Sequence, residues 1–324
     1  KPNPVLDSVD GDGLHGIIPW EDIHAVTLAC NLWKTVKPQL TKVLQQRKRD
    51  SSFISSRTEE LEVINKEKGL AHPNPDRQTI IGEKDRNGRV VVGPLKKGDS
   101  NFVDVPREFK VTLPKHLQGP HVTLFGPHQT PRMTKHAINS IGTPTQNAVL
   151  ESIISQSKLT PFWGADGEDS VTPNANLNMI GQCVLTEGLT YAERLKSEHP
   201  DTKVTQAIKR IPGIALPDPK HLLDGEPIPM HIMEFAAHLY QHHQTPENCS
   251  FYIPKIETEE EATYLKTMIE TCEKMIKEVN PSYKIGTVKV IIVFETARAT
   301  FRMKEIAYNL SPYFAGGSLG WHDY

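Results

Sequence analysis

Cysteine is scarce in this chain. Cys30, Cys183, Cys249 and Cys272 are the only four in 324 residues, and no two stand in C-x-x-C spacing. That usage argues against a disulfide scaffold and fits a reducing compartment. Long apolar runs are missing too, since none approaches the ~20 residues of a membrane-spanning helix. Neither sign of charge dominates: 37 basic residues face 39 acidic ones. Nothing in that balance calls for nucleic acid or a membrane surface as partner. There is no G-x-G-x-x-G and no P-loop, which weakens nucleotide-binding sheet folds. His238 and His242 have the spacing of helical zinc ligands, but Leu239 stands where H-E-x-x-H needs Glu. They read as a wet, His-rich helix end.

What the chain does have is one very apolar strand with a charge at its tip. Val288 to Glu295 reads V-K-V-I-I-V-F-E, five β-branched aliphatics and a Phe in eight residues. Such a run is too apolar to alternate, so it predicts a parallel strand buried on both faces. Glu295 should not end a buried strand without a role. Asp323 follows 28 positions later, in G-W-H-D-Y. That is about one strand–helix unit of roughly 30 residues, so both carboxylates could face the same end of one sheet.

The rhythm of the chain divides it in two. Residues 1–105 read as an N-terminal, mostly helical or irregular appendage. Its helix is predicted over Trp20 to Gln46, with Pro38 kinking or splitting it. Arg47, Lys48 and Arg49 read as that helix's solvated end. Asn87-Gly88 before Val90-Val91-Val92 predicts a hairpin. From residue 106 to 324, candidate strands at His121–Phe125, Thr160–Gly164, Thr205–Ile208, Ser250–Ile256 and Val288–Phe294 alternate with helices. One helix is signalled by Thr258 and Glu261 as a capping box, followed by the apolar face Leu265, Met268, Ile269, Cys272, Met275, Ile276 and Val279. Another is signalled by Ala299, Met303, Ile306 and Leu310, with the methionines from 268 to 303 read as core. Strands alternating with helices imply an α/β fold with a mostly parallel sheet, open or closed into a barrel.

Asp166, Glu168, Asp169, Arg210, Lys255, Glu257, Glu295 and Asp323 all fall at or just after the C-terminal end of a candidate strand. Barrels and open doubly wound sheets both place their sites there. Two carboxylates from successive strands, with no Cys or clustered His nearby, suit a hard cation held by oxygens, Mg²⁺ first among them. Arg210 adds a planar cation able to grip a carboxylate or a developing enolate. Metal plus Arg could activate a small oxo-acid and stabilise an oxyanion while a C–C bond forms. The bland reading is that such charges cap helices or pair at the surface. Glu257, just before the Thr258 cap, fits that account best, and Lys255 is open to either.

At this point the residues resemble the malate synthases, in particular their shorter plant and bacterial form. That form carries F-Y-L-P-K-L-E, then I-E-T with A-F-x-M-x-E-I, then G-R-W-D-Y. Here stand F-Y-I-P-K-I-E at Phe251–Glu257, F-E-T at Phe294–Thr296, A-T-F-R-M-K-E-I at Ala299–Ile306 and G-W-H-D-Y at Gly320–Tyr324. A-D-G-E-D-S at Ala165–Ser170, R-I-P-G at Arg210–Gly213 and L-D-G-E-P-I at Leu223–Ile228 complete an ordered series. The resemblance implies a TIM (β/α)₈ barrel, incomplete here, that condenses acetyl-CoA with glyoxylate to malate and CoA with Mg²⁺. It implies Glu295 and Asp323 as metal ligands and Arg210 at the glyoxylate oxygen and acetyl enolate. Asp166 and Glu168 would support that Arg and the metal's water shell. Backbone N–H groups between Gly320 and Asp323, across Trp321 and His322, would hold the glyoxylate carboxylate. The implied compartment is the peroxisome or glyoxysome in a eukaryote and the cytoplasm otherwise.

The departures bear on activity. Trp321 replaces an Arg, His322 a Trp, Pro212 the second Arg of R-P-R-G, and Gly167 a Phe. The family's catalytic base is an Asp in a C-terminal domain that would lie beyond Tyr324, so residues 1–324 alone are expected to be inactive. Two other readings compete. One is a Mg²⁺-dependent CoA-thioester lyase or aldolase on a similar barrel. The other is a diverged, non-catalytic acyl-CoA-binding relative.

Overall fold

The structure, a computed structural model, describes residues 22–109, 111, 113–118, 124–138, 162–171, 175–200 and 206–324. The expected helix start at Trp20 and the expected strand positions 121–123, 160–161 and 205 lie outside them. Six strands form one parallel sheet: β1 (Leu124–Pro127), β2 (Phe162–Asp166), β3 (Gln206–Arg210), β6 (Ser250–Ile253), β7 (Lys289–Phe294) and β8 (Phe314–Leu319), in that order across it. Between β3 and β6, β4 (Pro217–Leu223) and β5 (Glu226–Pro229) make a separate antiparallel hairpin. Its turn, Asp224-Gly225, has positive φ at both residues (54° and 74°), the conformation for which a two-residue hairpin selects D-G. Helices connect the parallel strands: α2 (Pro131–Ile138), α3 (Ala175–Glu198), α4 (Met230–His242), α5 (Glu259–Val279), then α6 (Ala297–Phe301) and α7 (Met303–Leu310).

The strand β7 is buried on both faces, as its composition predicts. Val290, Ile292 and Phe294 join the main core with Leu265, Met268, Ile269, Cys272 and Ile276 of α5. Val293, with Ile291, meets Phe162, Ile208 and Tyr252 on the opposite, concave face. Each such burial contributes about 1.5–3 kcal/mol. Side chains alternate along a strand, so the residues that continue the concave rows beyond Ile208 and Val293 are Arg210 and Glu295. The same count puts Asp166 on that face of β2. All six strands are parallel, so these residues also share one end of the sheet. The open parallel sheet with outer helices is the arrangement of an incomplete TIM barrel.

The helix α5 starts as its sequence predicts. Thr258 Oγ1 accepts from the Glu261 N–H at 3.3 Å, while the Glu261 carboxylate reaches back to the N–H of Glu257 at 2.7 Å. Three consecutive Glu in the first turn suit the helix dipole. Val279, at the far end of the apolar stripe, is exposed.

The first third departs from expectation. The helix α1 (Ile23–Glu67) is unbroken through Pro38 and continues 21 residues past Gln46. A proline inside a helix costs about 3 kcal/mol, and the burial of Val26, Cys30, Trp33 and Val36 before it and Leu40 and Val43 after it offsets that cost. These residues pack α1 against α4 and α5 in the main core. Beyond Val43 the apolar positions thin out, so periodicity loses the helix there. Arg47 is not at a solvated end. It lies mid-helix and grips Glu261 with two nitrogens, at 2.7 and 2.8 Å.

Asn87-Gly88 does turn the chain. Gly88 has φ of 75°, and Lys84 and Val90 form an antiparallel bridge. The segment after Glu295 is two helices and not one, broken at Arg302, whose side chain turns inward to donate to Val90 O at 2.8 Å. Met303 is thereby exposed and does not belong to the core. His238 and His242 are likewise not wet. Both are buried, with ring centroids 4.6 Å apart, and burial pushes the His242 imidazole down to about 4. His238 is held between Gln182 and Asn248 O. No disulfide joins the four cysteines.

Candidate active-site rim

Asp166 and Arg210 are register partners at the ends of β2 and β3. Their side chains meet on the concave face, Nη1 of Arg210 lying 3.3 Å from Asp166 Oδ2. The turn after β2 then bends back over the guanidinium. Asp166 Oδ1 accepts from the Glu168 N–H at 2.9 Å and Oδ2 from the Ser170 hydroxyl at 2.7 Å, which fixes the 166–170 turn. That turn delivers Glu168 Oε2 to Arg210 Nη2 at 2.6 Å, and Asp169 to the same nitrogen. Glu168 also accepts from the Gly213 N–H at 3.1 Å, tying the turn to the segment after β3. Burial works against the charge on Arg210, but Asp166, Glu168 and Asp169 outweigh it and raise its pKa further, so it remains a fixed cation. Burial raises the Glu168 carboxyl, with Arg210 and Lys255 opposing.

Gly167 sits where no side chain fits. An added Cβ would lie 2.8 Å from Glu234 Oε2 and 3.0 Å from both Arg210 O and Lys209 Nζ. Behind it, on the outer face of the sheet, Lys209 and Glu234 form a fully buried ion pair at 2.8 Å, and Asn178 bonds both Glu234 and Gly167 O. The Phe that the family pattern has at this position would have no room here.

The second half of the rim comes from β6, β7 and β8. Glu295 is buried, and its Oε1 accepts from the Lys255 N–H at 2.5 Å. Gly320 donates its N–H to Phe294 O at 3.0 Å, and an added Cβ there would lie 2.6 Å from Glu295 Cβ. This close approach lets the next turn, closed by Asp323 N–H to Gly320 O at 3.3 Å, bring Asp323 over Glu295. One oxygen each from Asp169, Glu295 and Asp323 lies within 4.8 Å of the others. Burial raises the Glu295 carboxyl, and its hydrogen bond to Asp323 adds to that. Asp323 is lowered, first by Lys255 and then by Glu295, so of the two Glu295 is the one that keeps a proton longer. Oxygen-only donors of this kind match a hard divalent cation such as Mg²⁺.

The rim thus gathers Asp166, Glu168, Arg210, Glu295 and Asp323. Trp321 and His322 occupy the outside of the 320–323 turn, exposed and stacked on each other with centroids 3.7 Å apart. Two further residues stand in the site without a role assigned from sequence. From sequence, Asp169 has only its place at a strand end. Lys255 fits site and surface equally in sequence, and its ammonium lies 2.7 Å from Asp323, 3.6 Å from Asp169, 3.8 Å from Glu295 and 4.0 Å from Glu168. Glu257 falls outside the rim, paired with Arg298 at 2.7 Å and Arg47 at 3.4 Å.

Residues 206–324 match the family described as malate synthase, TIM barrel domain. The chain is 25% identical over 207 residues to the glyoxysomal malate synthase of Gossypium hirsutum, covering 60% of this chain and 35% of that protein. It is 24% identical over 207 residues to the glyoxysomal malate synthase of Cucumis sativus, with the same coverage. Against the malate synthase of Dictyostelium discoideum it is 28% identical over 193 residues, covering 56% of this chain and 34% of that one. The chain spans about a third of the length of the curated relatives it matches.

Proposed function

From a chain whose residues 206–324 belong to the malate synthase TIM-barrel family, we propose that the full-length protein is an acyltransferase that condenses acetyl-CoA with glyoxylate to give malate and CoA. The observation that carries the proposal is the pairing, on one rim, of a fixed guanidinium with an oxygen-only acid cluster. Arg210 is already oriented by three carboxylates and holds its donors toward the concave face. Placed against the thioester oxygen, it stabilises the charge that develops when a base takes a proton from the acetyl methyl. The enolate carbon then attacks the aldehyde carbon of glyoxylate, whose oxygen takes up a proton to become the hydroxyl of malate, and water cleaves the thioester to give the new carboxylate and CoA as a thiol.

Glu295 and Asp323 are proposed to hold Mg²⁺, with Asp169 close enough to share in it. When bound, the ion polarises the aldehyde oxygen as a Lewis acid. Asp166 and Glu168 orient Arg210. The Gly320 and Asp323 N–H groups are donated to Phe294 O and Gly320 O, so the proposed seat of the glyoxylate carboxylate is the Trp321 and His322 N–H groups of that turn. We divide the chain at residue 105, with 1–105 an appendage packed on the barrel's helices through α1 and 106–324 the partial barrel. Two of the relatives are glyoxysomal by name, and the same compartment is proposed in a eukaryotic source, the cytoplasm in a prokaryotic one. Among the described residues no helix is long and apolar enough to cross a membrane.

The test is glyoxylate-dependent release of free CoA thiol from acetyl-CoA by the full-length protein, with and without Mg²⁺. Release that needs both glyoxylate and Mg²⁺ is the expected result. Consumption of glyoxylate without thiol release would favour a lyase or aldolase, because a C–C bond made without hydrolysis leaves the thioester intact. Binding of acetyl-CoA with no turnover, in folded protein, would favour the non-catalytic relative.

A further inference from the structure

Lys255 has a conformation and a position that the reaction above does not require. It is one of two described non-glycine residues with positive φ, at 56°, a region that strains a residue carrying a side chain. Its backbone is clamped from both sides. The N–H donates to Glu295 Oε1 at 2.5 Å, and the carbonyl accepts from Arg47 Nη2 of α1 at 2.9 Å. The outcome is an ammonium aimed into the rim, within 4.0 Å of Glu168, Asp169, Glu295 and Asp323. Three of those four are the carboxylates whose oxygens converge within 4.8 Å.

We propose that the Lys255 ammonium is a resident counter-ion of this cluster, competing with a divalent cation for the same carboxylate oxygens and so setting the affinity of the site. The inference rests on the cation reading given above. Five carboxylates share the rim with two cations, Arg210 and Lys255. Arg210 is committed to the β2 side, where it also bonds Asp169, so Lys255 is the charge that keeps Asp323 and Glu295 gathered beside it. A dication entering between them meets that ammonium at short range and displaces it. Lys255 can leave, because its side chain is 39% exposed and its stem is flexible. It is a positioning residue, which touches the ligands and not the reacting atoms.

The test is Mn²⁺ binding by the full-length protein, measured calorimetrically for wild type, Lys255→Gln and Lys255→Arg. Lys255→Gln should bind at least about tenfold more tightly, because the variant has no ammonium–carboxylate contacts to give up when the dication enters, and even in a water-like dielectric two such contacts at about 4 Å are together worth more than one decade. Lys255→Arg keeps the charge and should stay close to wild type. Equal or weaker binding by Lys255→Gln overturns the proposal while leaving the cation reading intact. If wild type and Lys255→Gln, both folded, fail to bind Mn²⁺, the cation reading itself falls and this proposal with it. A second measurement needs no variant. Amine-selective acetylation of Lys255 in wild type, followed by peptide mass spectrometry, should run severalfold faster with Mn²⁺ present, and an unchanged or slower rate overturns the displacement.

Discussion

Two charged clusters meet the segment that leads into α5, and they are built on different principles. One is the rim, where five carboxylates surround Arg210 and Lys255. The other is a clamp that fastens α1 and the 84–92 hairpin to the barrel. In the clamp, Asp50 accepts from Arg89 at 2.9 Å, from Gln46 at 2.7 Å and from Arg298. Arg298 goes on to Val91 O and Glu257, Arg89 to Glu260, and Arg47 to Glu261. Nearly every donor and acceptor there ends on a fixed protein partner, which is what a buried charge needs in order to be tolerated. The rim instead gathers more negative charge than its cations balance. An excess of like charge held together by the fold is a cost, and such costs concentrate where a ligand can offset them.

The difference is broken most directly by removing charge from each cluster. Glu295→Gln and Asp323→Asn should each lower turnover by about 10³-fold, roughly 4 kcal/mol in barrier, if they hold the cation. Each should leave the unfolding free energy within about 1 kcal/mol of wild type, since an exposed or half-satisfied rim charge contributes little to the fold. Thiol release measured beside urea denaturation checks both halves. A variant with near wild-type turnover removes that residue from the cation site.

Asp50→Ala should do the reverse. It strands Arg89 and Arg298 in the interior, a loss of about 3–5 kcal/mol in stability, readable as a fall in the urea midpoint. Gln46, Arg89 and Arg298, the partners of Asp50, are not those of the rim carboxylates. Mn²⁺ affinity of the folded fraction should therefore stay within about twofold. A stability loss below about 1 kcal/mol would mean the clamp is no more than a surface network.

The same contrast explains what could be read from the sequence. β7 and α5 were legible because their signals are local: a two-sided apolar run, a capping Thr, an apolar stripe of helical period. The rim residues were legible because parallel topology sends every strand's C-terminal end to one side, so charges at strand ends converge. Asp169 and Lys255 acquire their meaning only from turn geometry, a 166–170 turn in one case and a positive φ in the other, and neither has a linear pattern. The clamp was invisible for a similar reason. Its pairs span large separations, Asp50 to Arg298 and Arg47 to Glu261, and from sequence Arg47 looked like a solvated helix end. Continuity of α1 through Pro38 depends on packing against α4 and α5, and propensity cannot supply that. Arg302, which breaks the second helix, is explained by Val90 O, a partner more than 200 positions away.

The smallest effect is the most diagnostic of the rim's excess charge. Burial, aided by Asp323, holds the Glu295 carboxyl above its ordinary value of 4.5. The folded state therefore binds that proton more tightly than the unfolded chain. Its contribution to stability is fully present below 4.5 and is lost as pH rises through the folded value. Asp323 runs the other way. Lys255 first, and then Glu295, hold it below its ordinary 3.8, so its contribution is present above 3.8 and lost as pH falls through the lower folded value. Glu295→Gln should thus match wild type in urea midpoint at pH 4 and exceed it slightly at pH 7, whereas Asp323→Asn should fall slightly below wild type at pH 7. Saturating Mn²⁺ should abolish the advantage of Glu295→Gln, because the cation then offsets in wild type the repulsion that the variant lacks. If Glu295→Gln is the less stable protein at pH 7 without metal, the Glu295 charge is paired as completely as those of the clamp, and the rim holds no excess for a cation to neutralise.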